Sequence, residues 1–168
     1  MNVAMWSLVT HQLENARALA RLDKRRPRQA SLRRAVSTAY YALFQALCET
    51  CAAELVGWDK PWESFTPIFR AVEHGRAAQT LLPRNLAATP DLQRLGFAFN
   101  ELQSAREWAD YNPEPRPKFE ATKNASPFTR SEALTLIELA DEAIKILDRL
   151  DNGDRLKLAT RLVAKTRK

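Results

Sequence analysis

Residues 29–56 read QASLRRAVSTAYYALFQALCETCAAELV and form the most apolar segment of the chain. Apolar residues recur there every three or four positions, which is the spacing of one face of an α-helix. Further apolar residues widen this face on both sides, so the pattern predicts a long helix at the centre of the fold. Gly57 follows and predicts the end of the helix, because glycine readily adopts the left-handed conformation found at helix C-termini.

The segments on either side of this helix carry the same period. We expect further helices over residues 3–23, 67–79, 90–111 and 129–150. Thr66-Pro67 and Thr89-Pro90 are typical helix starts, and Thr129 with Glu132 matches a capping box. The chain has no alternating Val/Ile/Thr runs, so a sheet-based fold is not expected. The sequence predicts an all-α, up-and-down bundle of four to five helices.

The chain of 168 residues has the length of one domain. We expect residues 1–150 to form the bundle and residues 151–168 to form a basic C-terminal tail, which is either a short amphipathic helix or mobile. Residues 112–127 read NPEPRPKFEATKNASP, and their four prolines predict one long irregular loop.

Several classes of protein are not expected from this sequence. No apolar run approaches the roughly 18 residues of a membrane span, and the N-terminal residues do not resemble a signal peptide. Cys48 and Cys51 lie inside a helical pattern without a second cysteine pair or a nearby histidine. We therefore expect a cytoplasmic protein without a cofactor, a metal or a membrane anchor.

The formal net charge of +6 is unevenly distributed. Residues 17–34 contain eight basic residues and one acidic residue, and residues 151–168 contain six and two. Two basic clusters on a mildly acidic body favour an anionic partner, for which nucleic acid is the first candidate. The alternative is that these lysines and arginines only keep helix surfaces soluble.

Arg106 is the most informative single residue. It occupies a position in the apolar stripe of the predicted helix over residues 90–111, where an arginine must be paired, face a second subunit or line a cleft. Asp110 follows four residues later on the same face, although this order of charges adds little to helix stability. The pair is either a structural ion pair or part of a polar site with Tyr111 at its rim.

Other polar and aromatic residues are candidates for a site with Arg106. His74 lies between Arg70 and Arg76, and the predicted helix puts Arg70 on the face of His74. This arrangement suits proton transfer next to a bound phosphate, although a lone histidine is more often structural. A second set of candidates is Arg33 and Arg34 with Tyr40 and Tyr41, which either bind phosphates and stack on bases or pack in the core with their hydroxyls at its edge.

These residues lie in sequence segments that resemble the HEPN-domain family, an all-α superfamily found in prokaryotic toxin–antitoxin and defence systems. The segments are LRRAVSTAYYALFQAL (32–47), RAVEHGR (70–76), ELQSAREWADYNP (101–113) and FTRSEALTLIELADEAIKIL (128–147). The resemblance covers about residues 3–150 and implies a HEPN-like helical bundle.

Active members of that family carry an arginine followed, after four to six residues, by a histidine, and pairs of subunits bring these motifs together to cleave RNA without a metal. The resemblance aligns the arginine with Arg106. Tyr111 stands where the histidine would follow, and Asp110 precedes it. Neither side chain replaces an imidazole as an acid or base, so His74 is the candidate to supply that group from another helix.

Two functions follow, and the sequence leaves the choice between them open. The first is an RNA-directed HEPN-type protein, such as a toxin-like ribonuclease, that acts as a homodimer with Arg106 near the subunit junction. The second is a non-catalytic helical interaction module that binds a nucleotidyltransferase or an antitoxin-like protein. A third, DNA binding through the basic tail, has no recognisable reading helix to support it.

Overall fold

The computed structural model describes residues 3–82, 89–111, 113 and 127–164. The helices in this part of the chain are α1 (Val3–Arg21), α2 (Gln29–Leu55), α3 (Trp62–Ala71), α4 (His74–Thr80), α5 (Pro90–Tyr111), α6 (Arg130–Arg149) and α7 (Asn152–Val163). The prediction of an all-α fold is confirmed, and the described residues form no strand. The predicted number of four to five helices is too small.

Helix α2 is the centre of the bundle, as its sequence predicts. It packs against α1, α3, α5, α6 and α7. Its alanines let neighbouring backbones approach closely, and its large side chains fill the space between them; the buried residues include Leu32, Ala35, Ala39, Tyr40, Ala42, Leu43 and Leu47. Gly57 has a φ of 98° directly after the helix, which confirms the predicted stop.

Polar contacts hold the start of α6 against the end of α1 and the start of α2. Thr129 and Glu132 form the predicted capping box, with each side chain bonded to the backbone amide of the other. The guanidinium of Arg130 donates to carbonyls of Ala20, Asp23 and Lys24 at the end of α1. Ala20 lies in the last turn of α1, where carbonyls lack a partner within the helix, and Asp23 and Lys24 follow the helix, so Arg130 stabilises the junction of α1 with α6.

The region between α2 and α5 differs from the prediction. The expected helix over residues 67–79 is instead two helices, because α3 begins at Trp62, includes Pro67, and ends where Val72 and Glu73 are extended. The extended link lets Val72 enter the core. Since His74 begins a new helix, the expectation that Arg70 shares its face is wrong.

Helix α4 approaches α5 closely at one glycine. A Cβ added to Gly96 would collide with the backbone carbonyl oxygen of Leu81, directly after α4. Glycine is therefore required here by the space between the helices. This approach fixes the end of α4 against α5.

The segment predicted as a tail contains a core helix. Asp151 caps α7 by accepting a hydrogen bond from the amide of Asp154, and the helix buries Leu158, Ala159 and Leu162 against the rest of the bundle. The boundary predicted at residue 150 therefore falls between two core helices. Residues 165–168 and most of the predicted proline-rich loop, residues 112 and 114–126, lie outside the described residues.

Both cysteines are buried free thiols. Burial is the main cause of the raised pKa of each thiol, to about 12 for Cys51. A thiol with such a pKa is protonated near neutral pH and is a poor nucleophile. Cys48 and Cys51 thus act as small core residues of α2.

Candidate functional site

Arg106 lies on the face of α5 that packs against α2, with only 13% of its side chain exposed. Its Nε lies 3.0 Å from Oδ2 of Asp110, close enough for an ion pair although the N–H is not aligned for a hydrogen bond. Its Nη2 donates to the hydroxyl oxygens of Tyr41, at 2.5 Å, and Tyr111, at 3.2 Å. The guanidinium is therefore held by a carboxylate and two phenols.

Three aromatic rings surround this guanidinium. Its central carbon lies 5.1 Å from the ring centroid of Tyr111, 5.2 Å from that of Tyr41 and 5.7 Å from that of Tyr40. The negative faces of aromatic rings attract a cation at such distances. We call Arg106, Asp110, Tyr40, Tyr41 and Tyr111 the Arg106 cluster.

The electrostatics of the cluster keep Arg106 charged. Partial burial lowers the pKa of Arg106, but the hydrogen bond to Tyr41 and the attraction of the surrounding oxygens outweigh it, so the pKa is raised. Asp110 Oδ2 also accepts a hydrogen bond of 3.0 Å from the buried hydroxyl of Ser37 on α2. The carboxylate thus bridges α5 to α2 while it balances the arginine.

His74 lies beside the Arg106 cluster. Its Nδ1 is 2.6 Å from the hydroxyl oxygen of Tyr40, and its ring stacks on Phe44 with 3.7 Å between centroids. Burial and, to a smaller extent, the charge of Arg106 lower the pKa of His74, so the imidazole is neutral near pH 7. Burial raises the pKa of Tyr40, whose hydroxyl therefore keeps its proton and can donate it to Nδ1.

The structure brings together the four residues predicted as a catalytic group, namely Arg106, Asp110, Tyr111 and His74. The predicted nucleic-acid-binding arginines are more dispersed. Arg33 and Arg34 lie on α2 one turn before Ser37 and two turns before Tyr41, which puts them on the same side of that helix. Arg70 lies in the last turn of α3 and Arg76 lies on α4, and no described contact joins either of them to Arg106.

Sequence reasoning left Ser37 and Phe44 out of the site and left the role of Tyr41 open. Tyr41 lies four residues after Ser37 on α2, so both face α5. The available sequence signal was a serine within the apolar run AVSTAYY. The structure shows that Ser37 is fully buried, and a buried hydroxyl requires a polar partner. That partner, Asp110, lies 73 residues away in the sequence and is found only through the packing of α2 on α5.

The outer edge of the cluster is accessible to solvent. Tyr111 is 70% exposed although its hydroxyl and ring both contact Arg106. A depression of about 320 Å³ beside it is lined by Glu107, Trp108, Tyr111 and Pro113. The site thus combines a fixed cation, an exposed aromatic ring and adjoining space, which suits a ligand with an anionic group and a flat ring.

Comparisons with known proteins do not identify this site. No protein-family model, curated protein or solved structure matches the chain. None of the described helices has a stretch long and apolar enough to cross a membrane. Among the described residues, no three His, Cys, Asp or Glu side chains lie close enough together to hold a metal ion.

Proposed function

We propose that this chain is an RNA-directed protein of the HEPN type that binds single-stranded RNA at the Arg106 cluster. In this proposal the guanidinium of Arg106 binds a phosphate and a neighbouring base stacks on Tyr111. The observation that carries the proposal is the contact of a fixed, charged guanidinium with a tyrosine ring that is itself 70% exposed.

The fixed orientation of Arg106 favours binding of a phosphate. An arginine side chain normally loses rotamer freedom when it binds an anion, whereas Asp110, Tyr41 and Tyr111 already hold this one. The described contacts use Nε and Nη2, and Nη1 takes part in none of them. Charge-assisted bonds from a guanidinium to phosphate oxygens are among the stronger polar contacts of proteins.

The exposed ring of Tyr111 supports RNA as the ligand. Unpaired bases commonly stack on aromatic side chains, and every base has a face that can do so. The depression beside Tyr111 provides space for such a base next to the indole of Trp108. Arg33 and Arg34, two turns or less from the cluster along α2, would bind the next phosphates of the strand.

The geometry supports RNA binding further than RNA cleavage. Metal-independent cleavage requires a group that takes the proton of the ribose 2′-hydroxyl. His74 is neutral and adjoins the cluster, but its Nδ1 already accepts a hydrogen bond from the hydroxyl of Tyr40. The single ring proton of His74 then lies on Nε2, so neither ring nitrogen is free to accept a proton. Asp110 also balances the charge of Arg106. We therefore propose RNA binding as the primary activity and RNA cleavage as the alternative.

The test of binding is fluorescence anisotropy with a labelled single-stranded RNA. Arg106→Ala is expected to weaken binding about tenfold or more, since hydrogen bonds to charged groups contribute about 1.5–3 kcal/mol. Arg94→Ala is the matched control, because it removes the same charge from an exposed position of the same helix. Wild-type affinity should also fall steeply with salt. Equal affinity of Arg106→Ala and wild type would refute the proposal.

Cleavage is tested with the same proteins on labelled total RNA, once in EDTA and once with magnesium. Products in EDTA that Arg106→Ala loses would establish a metal-independent ribonuclease, and His74→Ala is then the next variant. Tyr111→His restores the arginine–histidine spacing of active HEPN proteins. The resemblance predicts that this variant gains RNA cleavage while wild type has none. The resemblance also implies a homodimer, which analytical ultracentrifugation of wild type tests.

A second candidate function is a helical interaction module for a nucleotidyltransferase or antitoxin-like protein. It is favoured by Phe97, which is 63% exposed over a groove of about 540 Å³ between α5 and α6. Phe97 precedes Arg106 by nine residues, which puts it on the opposite face of α5. Co-purification with a co-expressed neighbouring gene product, lost in Phe97→Glu but not in Arg106→Ala, is the expected result for this candidate.

A further inference from the structure

A second cavity lies on the far half of α2 from the Arg106 cluster. It has a volume of about 450 Å³ and is bounded by the last turns of α2, the end of α6, the start of α7 and the indole of Trp58. This volume is within the range of cavities that hold small molecules. Glu49 on its wall lies eight residues after Tyr41, or about 12 Å further along the helix axis. The cavity is therefore separate from the site proposed for RNA.

Glu49 is the unusual group in this cavity. Only 3% of the residue is exposed, yet its carboxylate accepts one hydrogen bond, from Nε2 of Gln45 to Oε1 at 3.0 Å. Within the described part of the chain it forms no ion pair, so a neutral amide is its polar partner. Burial raises the pKa of Glu49, since a neutral amide compensates poorly for lost water. A carboxylate of this kind is normally paired with a cation.

The charges around Glu49 do not supply that cation. Asp148 and Glu54 also line the cavity, and burial raises the pKa of Asp148 to about 6. Arg155 is the single basic residue of the lining, but its Nη2 donates to the carbonyls of Asp148, at 3.0 Å, and Leu150, at 3.2 Å. It thus caps α6, whose C-terminal end adds partial negative charge to the same wall.

The side chains that line the cavity indicate which kind of cation it would bind. The described residues include no group of three His, Cys, Asp or Glu side chains close enough to hold a metal ion. Trp58 offers an aromatic surface, which attracts organic cations and packs against their carbon atoms. A cation that carries N–H donors and a short apolar part suits both the carboxylate and the indole, whereas a bare metal ion has no apolar part to pack on the indole.

We infer that this cavity binds a small organic cation, a protonated amine or a guanidinium compound. Its N–H groups would donate to Glu49, and its apolar part would pack on Trp58. Asp148 and Glu54 would add attraction at the cavity mouth without direct coordination. This site is independent of RNA binding, so either proposal can fail without the other.

The test uses isothermal titration calorimetry on the full chain with phenethylammonium chloride as the probe. The neutral counterpart is 2-phenylethanol, which has the same ring and chain without the charge, and magnesium chloride serves as the metal arm. Saturable binding of the ammonium compound alone is expected. Equal binding of the alcohol would show an apolar cavity without charge selection, and binding of magnesium alone would show a metal site; either result would overturn the inference.

Three variants connect the binding to named side chains. Glu49→Gln keeps the shape of the side chain and is expected to weaken binding about tenfold or more, and Trp58→Leu several-fold. Glu138→Gln, on the exposed face of α6, is the matched control and should bind as wild type does. Circular dichroism checks that each variant is folded. Unchanged affinity of folded Glu49→Gln, or no saturable binding to wild type at millimolar probe, would overturn the inference.

Discussion

Two carboxylates at the central helix of this bundle have opposite surroundings, one from α5 and one from α2 itself. Asp110 of the Arg106 cluster is balanced by a guanidinium at 3.0 Å and by the hydroxyl of Ser37. Glu49, more deeply buried, has one neutral amide as its partner and faces a cavity. Both carboxylates lose solvation when they are buried in the protein. Arg106 and Ser37 offset this loss for Asp110, whereas no cation of the described chain offsets it for Glu49.

The carboxylate of the Arg106 cluster therefore has a cation of the same chain as its partner, whereas the carboxylate of the Glu49 cavity has none among the described residues. The Arg106 cluster has its charges satisfied and can present its cation to an anion without rearrangement. The Glu49 cavity would gain from an organic cation that replaces the missing solvation.

Gly96→Ala is expected to have the largest effect. The added Cβ collides with the carbonyl of Leu81 and must separate α4 from α5, at a cost of about 3 kcal/mol in the free energy of unfolding. The change should also displace His74 from the Arg106 cluster and leave the Glu49 cavity unaltered. Urea unfolding measures the loss. Gly75→Ala, where an added Cβ meets nothing within 4 Å, is the control and should be neutral or slightly stabilising.

Removal of Arg106 should have the next largest effect. Arg106→Ala leaves the partly buried Asp110 without its cation, and we expect a loss of about 1–2 kcal/mol. A double-mutant cycle with Asp110→Ala should give a coupling energy of about 1 kcal/mol, above the 0.3–0.5 kcal/mol of an exposed pair at this spacing. Additive single-variant effects would show that the ion pair contributes nothing.

Glu49→Gln should stabilise the fold, by about 1 kcal/mol at pH 8. The folded-state pKa of Glu49 is raised, so its ionised form opposes folding at high pH. Below the ordinary glutamate value of 4.5 the carboxyl is protonated in both states and the gain should vanish. Urea unfolding of both proteins from pH 4 to pH 8 measures this trend, and a gain independent of pH would contradict the assignment.

Tyr111→Ala should have the smallest effect on stability. Because the side chain is 70% exposed, we expect a change within about 0.5 kcal/mol. The same variant should bind single-stranded RNA several-fold more weakly, since it removes the stacking surface. Thermal unfolding and anisotropy on one preparation give both values, and a large loss of stability with full RNA affinity would assign Tyr111 a structural role instead.

The helices with regular apolar spacing were predictable from the sequence, and those defined by tertiary contacts were not. The predicted helices over 29–56 and 90–111 agree with α2 and α5 to within one residue. The break between α3 and α4 has no sequence signal at Val72 or Glu73, and it accompanies the burial of Val72 in the core. Likewise α7 has the composition of a basic tail, and only its packing against α2 shows that it belongs to the core.

The same limit applies to the Arg106 cluster. The pair of Arg106 with Asp110 follows from a spacing of four residues within one helix. The contacts of Tyr41 and Ser37 with that pair cross from α2 to α5 and depend on the rotation of both helices. Local periodicity predicts which face is buried but not which residues of two buried faces meet.

The most direct test of the Arg106 cluster is a titration of ¹⁵N-labelled protein with a short single-stranded RNA, followed by amide chemical shifts. The account predicts that the largest changes occur at residues 37–41 of α2 and 106–111 of α5, and that Arg106→Ala removes them. Changes confined to the basic residues 21–28 and 155–164, and unaffected by Arg106→Ala, would contradict it.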